Sequence, residues 1–264
     1  MIYKGIFFVF AYQEDKKMRI TIFNEFHPDQ KKGKALKVYP NGIHSELKSI
    51  FADKPEFNVT LATQENPSHG LTDSVLKETD VLIWWSDIWN EQILSDVSDK
   101  VYSRILEGMG AIFLYGACNS KPFKRLMGTT CSITKISSSV TSKIYSVLPG
   151  SPICNNVKFP ISFSEEKFLC EPFEIPTPDS LVLVNGYSSS DILRSGCAYY
   201  RGKGKILYFY GGSELSSSYT ISSFKKIILN SVLWVAPTTI DLPLATNSEF
   251  KDTEKAKKGF FFKK

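Results

Sequence analysis

The chain has 264 residues, of which 42% are hydrophobic and 22% are charged, a composition that is ordinary for a globular protein with a full core. Part of its formal net charge of +5 lies in a Lys-rich segment at residues 238–264, so the body is too weakly basic to indicate a nucleic-acid partner. Five widely spaced cysteines without metal-ligand spacing favour free thiols in a reducing cytoplasm over a disulfide framework.

The first 17 residues are predicted to be an extension outside the fold. The run Ile6–Tyr12 is apolar, but it is too short to span a membrane. Charged residues follow it without a small-residue cleavage site, which makes a signal peptide the less favoured alternative. We therefore predict one domain at residues 18–237, followed by a polar tail at 238–264, and no membrane partner.

Strands and helices alternate through the first half of the chain. This rhythm, with short connections, predicts an α/β fold with a flavodoxin-like, doubly wound, mostly parallel sheet, whose ligands bind at the carboxyl ends of the strands. The predicted strands are Arg19–Phe23, Phe57–Ala62, Val81–Trp85 and Ala111–Tyr115, and the predicted helices are Tyr39–Phe51, Thr72–Glu78 and Glu91–Glu107.

The amino-acid composition changes after Met127, where Ser, Thr and Pro become frequent and the apolar runs are short. This pattern predicts a β-rich insertion before a last strand and a last helix. The predicted strands are Ile133–Ile144, Leu181–Val184, Cys197–Tyr200 and Lys205–Tyr210, with a hairpin turn at Arg201–Gly204, and the last helix is Ser222–Trp234.

A turn between the fourth strand and the next helix is the first candidate site. Gly116 permits a sharp turn, Ser120 is a predicted N-cap, and Cys118 lies where a strand-to-helix elbow exposes a nucleophile. The three histidines of the chain all precede Cys118. A cysteine glutaminase is therefore the less favoured interpretation, because the nucleophile has no downstream histidine as its base.

Several phrases together resemble the trehalose-utilisation (ThuA-like) family, from about residue 19 to residue 237. They are Ile22–Phe26, Tyr39–His44, Ser68–Thr72, Asp80–Trp85, Ser120–Cys131, Glu171–Pro176 and Arg194–Cys197. The resemblance implies a fold like that of class I glutamine amidotransferases and a role in trehalose-type disaccharide metabolism.

The sequence departs from this family where the relatives carry histidines. Those positions correspond to Asp87, Asn90, Tyr115, Cys118, Ser213 and Thr220. The family histidines could bind a divalent metal or act as acid and base. Their replacement implies that a family-type metal site is not retained, so we expect no metal and no cofactor.

The remaining polar residues at the predicted strand ends give the candidate site. Glu25, His44 and Glu214 are the candidate catalytic groups, with a carboxylate and a histidine as acid–base partners. Aromatic faces bind sugars through apolar contact while polar groups fix the orientation, and we expect Trp84 or Trp85 to line the pocket. The candidate substrate contacts are Asn24, Trp85, Asp87, Tyr115, Cys118 and Lys121.

Each histidine also has a structural interpretation. His44 follows Gly42 at a helix start, where it could bind a ligand or a neighbouring carboxylate. His27 lies in the loop after the first strand, and His69 could organise its own loop. Asp87 could accept sugar hydroxyls or pair with Lys121.

Two functions therefore stay open. The first is a cytoplasmic protein of carbohydrate metabolism that acts on or binds a sugar derivative. The second is a non-catalytic binder of a sugar or a partner on the same fold, and a homo-oligomer is compatible with both. The enzyme interpretation requires Glu25, His44, Asp87, Cys118 and Glu214 to converge on one pocket. The binding interpretation is favoured if they scatter or if Tyr115 and Tyr210 fill that pocket.

Overall fold

The computed structural model describes residues 17–238, which contain nine strands and six α-helices. The strands are β1 (Met18–Asn24), β2 (Phe57–Thr63), β3 (Val81–Ser86), β4 (Gly110–Tyr115), β5 (Ile133–Ser146), β6 (Ile161–Phe173), β7 (Ser180–Tyr187), β8 (Ile192–Arg201) and β9 (Gly204–Phe209). The helices are α1 (Gly33–Val38), α2 (Ile43–Ser49), α3 (Asp73–Glu78), α4 (Ser95–Glu107), α5 (Lys121–Met127) and α6 (Ser222–Val235).

All nine strands form one sheet in the order β2-β1-β3-β4-β9-β8-β7-β5-β6. The five strands from β2 to β9 pair in parallel, and the strands from β9 to β6 pair antiparallel. Strand β9 joins the two halves, because it lies parallel to β4 and antiparallel to β8. The prediction of an α/β fold is confirmed, and the sheet is parallel in one half and antiparallel in the other.

The centre of the sheet is covered on both faces. Every residue of β3 and β4 is buried, and successive side chains of a strand point to opposite faces. Helix α4 packs through Val97, Val101 and Ile105, and helix α6 packs through Phe224 and Val232 among others. These side chains belong to one hydrophobic core that extends through both halves of the sheet.

Two of the predicted helices begin later in the structure than in the sequence pattern. The first predicted helix, Tyr39–Phe51, begins at Ile43 because Gly42 adopts a positive φ of 78° and ends the preceding turn. The predicted helix Glu91–Glu107 begins at Ser95, since Asn90–Gln92 forms a separate 3-10 turn. In both segments the helical spacing of apolar residues begins before the helix itself, so the sequence pattern placed the helix starts too early.

Two elements were not predicted. Helix α1 lies in a Lys-rich stretch whose periodicity is weak. Strand β6 alternates buried and exposed residues, but a buried glutamate, Glu165, occupies one of its inward positions. The predicted extension and polar tail, apart from Lys17 and Thr238, lie outside the described residues. Between residues 17 and 238, no helix combines the length and apolarity needed to cross a membrane.

Candidate functional site

The carboxyl ends of β1, β3, β4 and β9 place most of the candidate residues at one edge of the sheet. Asn24 is the last residue of β1, and Tyr115 is the last residue of β4. Asp87 follows β3 directly, and Glu214 lies in the loop after β9. Parallel pairing aligns these strand ends, which is why residues far apart in sequence lie at the same edge.

Glu25 is buried and its carboxylate is held by backbone amides of the loop after β3. The amide of Ile88 donates to Oε2 at 3.0 Å, and the amide of Trp89 donates to the same oxygen at 2.9 Å. Burial raises the pKa of Glu25, while the amides around it act in the opposite direction. Glu25 therefore ties the loop after β3 to the end of β1.

His44 lies in the first turn of α2 and is held by Asn24. The Asn24 side-chain amide nitrogen lies 3.0 Å from His44 Nδ1 and donates to Gln30 Oε1 at 2.9 Å. The Phe26 amide donates to Asn24 Oδ1, which fixes the orientation of that side chain. His44 Nδ1 is therefore an acceptor. Burial lowers the pKa of His44, so the imidazole is neutral at pH 7.

The other two histidines organise their own loops. His69 donates from Nδ1 to the Gln64 carbonyl at 2.8 Å, and its Nε2 accepts from the Leu94 amide at 3.0 Å. His27 Nδ1 accepts from the Asp29 amide, and its ring packs edge-on against Trp89 at 4.5 Å. Both side chains make contacts that stabilise the loops around the site.

Two ion pairs lie at the sheet edge, and each joins a buried carboxylate to a half-exposed lysine. Asp87 Oδ1 lies 2.6 Å from Lys135 Nζ. Glu214 Oε1 lies 3.0 Å from Lys167 Nζ, while Glu214 Oε2 is buried without a hydrogen-bond partner. The expected pairing of Asp87 with Lys121 is wrong, because Lys121 Nζ donates to the Ile93 carbonyl at 2.6 Å.

The aromatic residues of the edge pack on one another. Trp85 stacks on Tyr115 with ring centroids 5.8 Å apart, and Tyr115 contacts Tyr210 at 5.6 Å. Trp84 packs against Phe23 in the core. All four of Trp84, Trp85, Tyr115 and Tyr210 are at most 2% exposed. The expectation that a tryptophan of β3 lines an open pocket is therefore not met.

Cys118 is buried inside the turn that follows β4, so the expectation of an exposed nucleophile is wrong. Burial raises the pKa of its thiol to about 12, although a hydrogen bond with Tyr208 opposes this change. The turn itself forms, as a 3-10 turn over Gly116–Asn119 with Ser120 at the N-cap position of α5. The Cys118 thiol lies in the hydrophobic core, where a substrate could not reach it.

The candidate residues therefore converge only in part. Burial raises the pKa of Tyr115, and the charges of Asp87, Glu214 and Glu165 raise it further, so these carboxylates surround the same ring. Glu25, His44 and Cys118 are each engaged in separate contacts. Within residues 17–238, no group of three His, Cys, Asp or Glu side chains could hold a metal ion.

Glu165 on β6 is a site residue that the sequence analysis missed. Its side chain is 2% exposed, and neither carboxylate oxygen has a hydrogen-bond partner. Burial raises the pKa of Glu165 to about 8 and the charge of Glu214 adds to this, whereas the nearby Tyr210 hydroxyl and Ser213 amide act to lower it. The sequence feature that could have identified Glu165 is a glutamate at a position where the alternation of the strand predicts a buried side chain.

Comparisons with known proteins give one family. A family model described as trehalose utilisation, ThuA, matches residues 19–235. A search of curated proteins finds no significant match to the chain.

Solved structures show the same fold at low sequence identity. A ThuA-like protein from Parabacteroides merdae has a TM-score of 0.59 at 11% identity, covering 86% of this chain and 94% of that one. A ThuA-like protein from Bacteroides uniformis has a TM-score of 0.57 at 13% identity, covering 85% and 93%. A cytoplasmic protein from Salmonella typhimurium has a TM-score of 0.52 at 11% identity, covering 84% and 100%.

Proposed function

Because this chain belongs to the ThuA (trehalose utilisation) family, we propose that it serves trehalose or related disaccharide metabolism by holding a sugar derivative at the carboxyl edge of its parallel strands. We place this function in the cytoplasm, which is supported by five cysteines that are all free and buried. The strand order β2-β1-β3-β4-β9 supports a flavodoxin-like, amidotransferase-like core in which residues 133–201 are a β-rich insertion.

The observation that carries the proposal is the half-engaged carboxylate of Glu214. Lys167 Nζ lies 3.0 Å from one carboxyl oxygen, while the other oxygen has no hydrogen-bond partner. A buried carboxylate oxygen of this kind is a strong acceptor for a sugar hydroxyl. Asp87 and Lys135 form a second charged pair close by, so two carboxylates and two lysines are available to orient a polyhydroxylated ligand.

Binding of trehalose tests the proposal directly. Isothermal titration calorimetry of the full chain with trehalose, maltose and sucrose should detect binding of at least one disaccharide. Glu214→Gln should weaken that binding about 10-fold or more, because the charged acceptor is removed. Glu107→Gln is the matched control, since Glu107 pairs with Arg104 on the exposed surface of α4. Failure of all three disaccharides to bind would contradict the proposal.

A second candidate function is sugar binding without turnover. It is supported by the residues that replace the family histidines, because three of them pack into the structure. Asn90 Nδ2 donates to the carbonyls of Asp87 and Gly116, and Cys118 and Tyr115 are buried. Incubation of the bound disaccharide with the protein, followed by chromatography of the sugars, separates the two functions. An unchanged sugar indicates a binding protein, and a new sugar product indicates an enzyme.

A further inference from the structure

A cleft of about 460 Å³ lies beside Glu214, between the antiparallel half of the sheet and the loop that follows β9. Its walls combine hydroxyl groups with a comparable apolar surface. Val140, Thr141, Ser164, Glu165, Ser188 and Ser216 are among the lining residues.

Two buried polar groups of this cleft lack hydrogen-bond partners. They are both carboxyl oxygens of Glu165 and the hydroxyl of Ser216. The Tyr210 hydroxyl and the Ser213 amide lie close enough to Glu165 to lower the pKa of its carboxyl, but neither meets the geometry of a hydrogen bond to it. Buried polar groups in folded proteins almost always have a protein or water partner. Unpartnered groups that line a cavity therefore mark the place where a ligand can supply the missing hydrogen bonds.

The backbone of Gly212 packs closely against the Glu165 carboxyl. Gly212 has a φ of +87°, and a Cβ atom there would lie 3.0 Å from Glu165 Oε1 and 2.6 Å from Ser218 Oγ. A side chain at this position would displace the Glu165 and Ser218 side chains, so this end of the cleft requires a glycine.

We propose that this cleft binds a neutral polyhydroxylated ligand and that Glu165, at its buried end, contacts the ligand's hydroxyl groups. The proposal deepens the proposed function, because it rests on a sugar-type ligand and extends the binding site from Glu214 across to β6. Glu165 and Lys167 lie on the same face of β6, two residues apart, and Lys167 holds Glu214. The residue after Glu214, Leu215, also lines the cleft, so the cleft adjoins the Glu214 site.

The chemistry of the cleft favours a neutral ligand over an ion. Lys34 at the rim is paired with Glu166, so these charges compensate each other. Burial raises the pKa of Glu165 to about 8, and its carboxyl is therefore protonated at pH 7 and can donate as well as accept. The hydroxyls of Ser216, Ser164 and Thr141 have the same dual capacity. Hydroxyl groups of a polyol match such a surface, whereas a cation would require an ionised carboxylate.

Titration calorimetry of the full chain with trehalose and with sorbitol tests this inference. Glu165→Leu should weaken binding at least 10-fold, because the carboxyl contacts are removed. Glu165→Gln should bind within about 3-fold of the unmodified chain, because a neutral amide also donates and accepts. Glu107→Leu is the matched control on the exposed surface of α4. Thermal unfolding of each variant checks that it is folded.

The outcomes separate this inference from the proposed function. If Glu165→Leu binds as well as the unmodified chain while Glu214→Gln does not, the cleft is not part of the site and the proposed function stands. If Glu165→Gln loses binding as fully as Glu165→Leu, the ligand contacts a charged carboxylate and the neutral-ligand inference is overturned. If sorbitol binds through Glu165 and no disaccharide binds, the inference stands and the proposed function fails. If neither probe binds, both are overturned.

Discussion

At the scale of single residues, burial decides what each ionisable group can do. Glu165 and Cys118 are both buried, and burial disfavours their charged forms, which raises the pKa of each group. Glu214 is buried to a similar extent, but Lys167 Nζ donates to one of its carboxyl oxygens at 3.0 Å. Neighbouring buried carboxyl groups thus differ in whether a cation lies beside them.

The raised pKa of Glu165 predicts a pH dependence of stability. The pKa rises from an ordinary 4.5 to about 8 in the folded chain, so the folded state holds more protons than the unfolded state between these values. The free energy of unfolding should therefore fall by ~2–4 kcal/mol as the pH rises from about 4.5 to about 8. Urea unfolding of the unmodified chain and of Glu165→Gln measures this contribution as the difference between them.

His44 contributes to the pH dependence of the free energy of unfolding with the opposite sign, because burial lowers its pKa. Other ionisable groups also contribute in this pH range. The comparison with Glu165→Gln removes these contributions, since they are common to both proteins. Parallel stability curves for the two proteins would contradict the prediction.

Cys118 should be unreactive in the folded chain. Its thiol has a pKa of about 12 and is fully buried, so almost no thiolate is present at pH 8. Iodoacetamide at pH 8, followed by peptide mass spectrometry, should leave Cys118 unmodified in buffer and modify it in urea. Rapid labelling of the folded protein would restore the cysteine-nucleophile interpretation that the structure disfavours.

At the scale of elements, the loops at the carboxyl edge are fixed by contacts between strand ends. Glu25 after β1 accepts from the amides of Ile88 and Trp89 after β3. Gly116 after β4 packs directly on the same loop, since a Cβ atom there would lie 2.8 Å from Asp87 Cα and from the Ser86 carbonyl. The position of Asp87 therefore depends on both neighbouring strands.

Removing the Glu25 carboxylate should destabilise this edge. Glu25→Ala leaves two partly buried amides without an acceptor, and we expect a loss of ~2–4 kcal/mol in the free energy of unfolding. Glu25→Gln should cost less, because its side-chain oxygen still accepts from one amide. Urea denaturation measures both values. A loss of less than ~0.5 kcal/mol for Glu25→Ala would show that the amides find another acceptor, such as water.

A methyl group at residue 116 should also disturb the edge. Gly116→Ala places its Cβ against backbone atoms that cannot rotate away, so we expect a loss of ~1–3 kcal/mol. Gly150→Ala is the matched control, because nothing lies within 4 Å of a Cβ at that position. Differential scanning calorimetry should show a lower melting temperature for the first variant alone. Equal melting temperatures would contradict the close approach of the two loops.

At the scale of the whole described chain, the parallel and antiparallel halves share one sheet and one core. Strand β9 hydrogen-bonds to β4 on one side and to β8 on the other, so the sheet continues without a break. The buried side chains of both halves belong to one core.

A single cooperative unfolding transition is expected from this architecture. A fourth tryptophan, Trp234 on α6, packs against Tyr200 of β8. In a Trp234→Phe background, the remaining Trp84, Trp85 and Trp89 report on the parallel half by fluorescence, because strands β5 to β8 contain no tryptophan. Far-ultraviolet circular dichroism reports on both halves. The two signals should change at the same urea concentration. Separate midpoints would show that the antiparallel half unfolds on its own.

The sequence by itself determined the parallel half of the sheet and the last helix. Apolar runs such as Val81–Trp85 predict buried strands because hydrophobic patterning acts over neighbouring residues. The same patterning failed at β6, where a buried glutamate interrupts an alternating strand. The family resemblance was also readable from short phrases, and the family match over residues 19–235 confirms it.

The tertiary structure decided the roles of the polar residues. Glu25 meets the Ile88 amide across 63 residues of sequence, and Lys167 meets Glu214 across 47. No local pattern contains such partners, because strand pairing and loop packing bring them together. Cys118 proved to be a core residue, Asp87 a partner of Lys135, and Glu165 an unpaired carboxyl beside a cleft. Each role follows from burial and from neighbours that only the folded chain supplies.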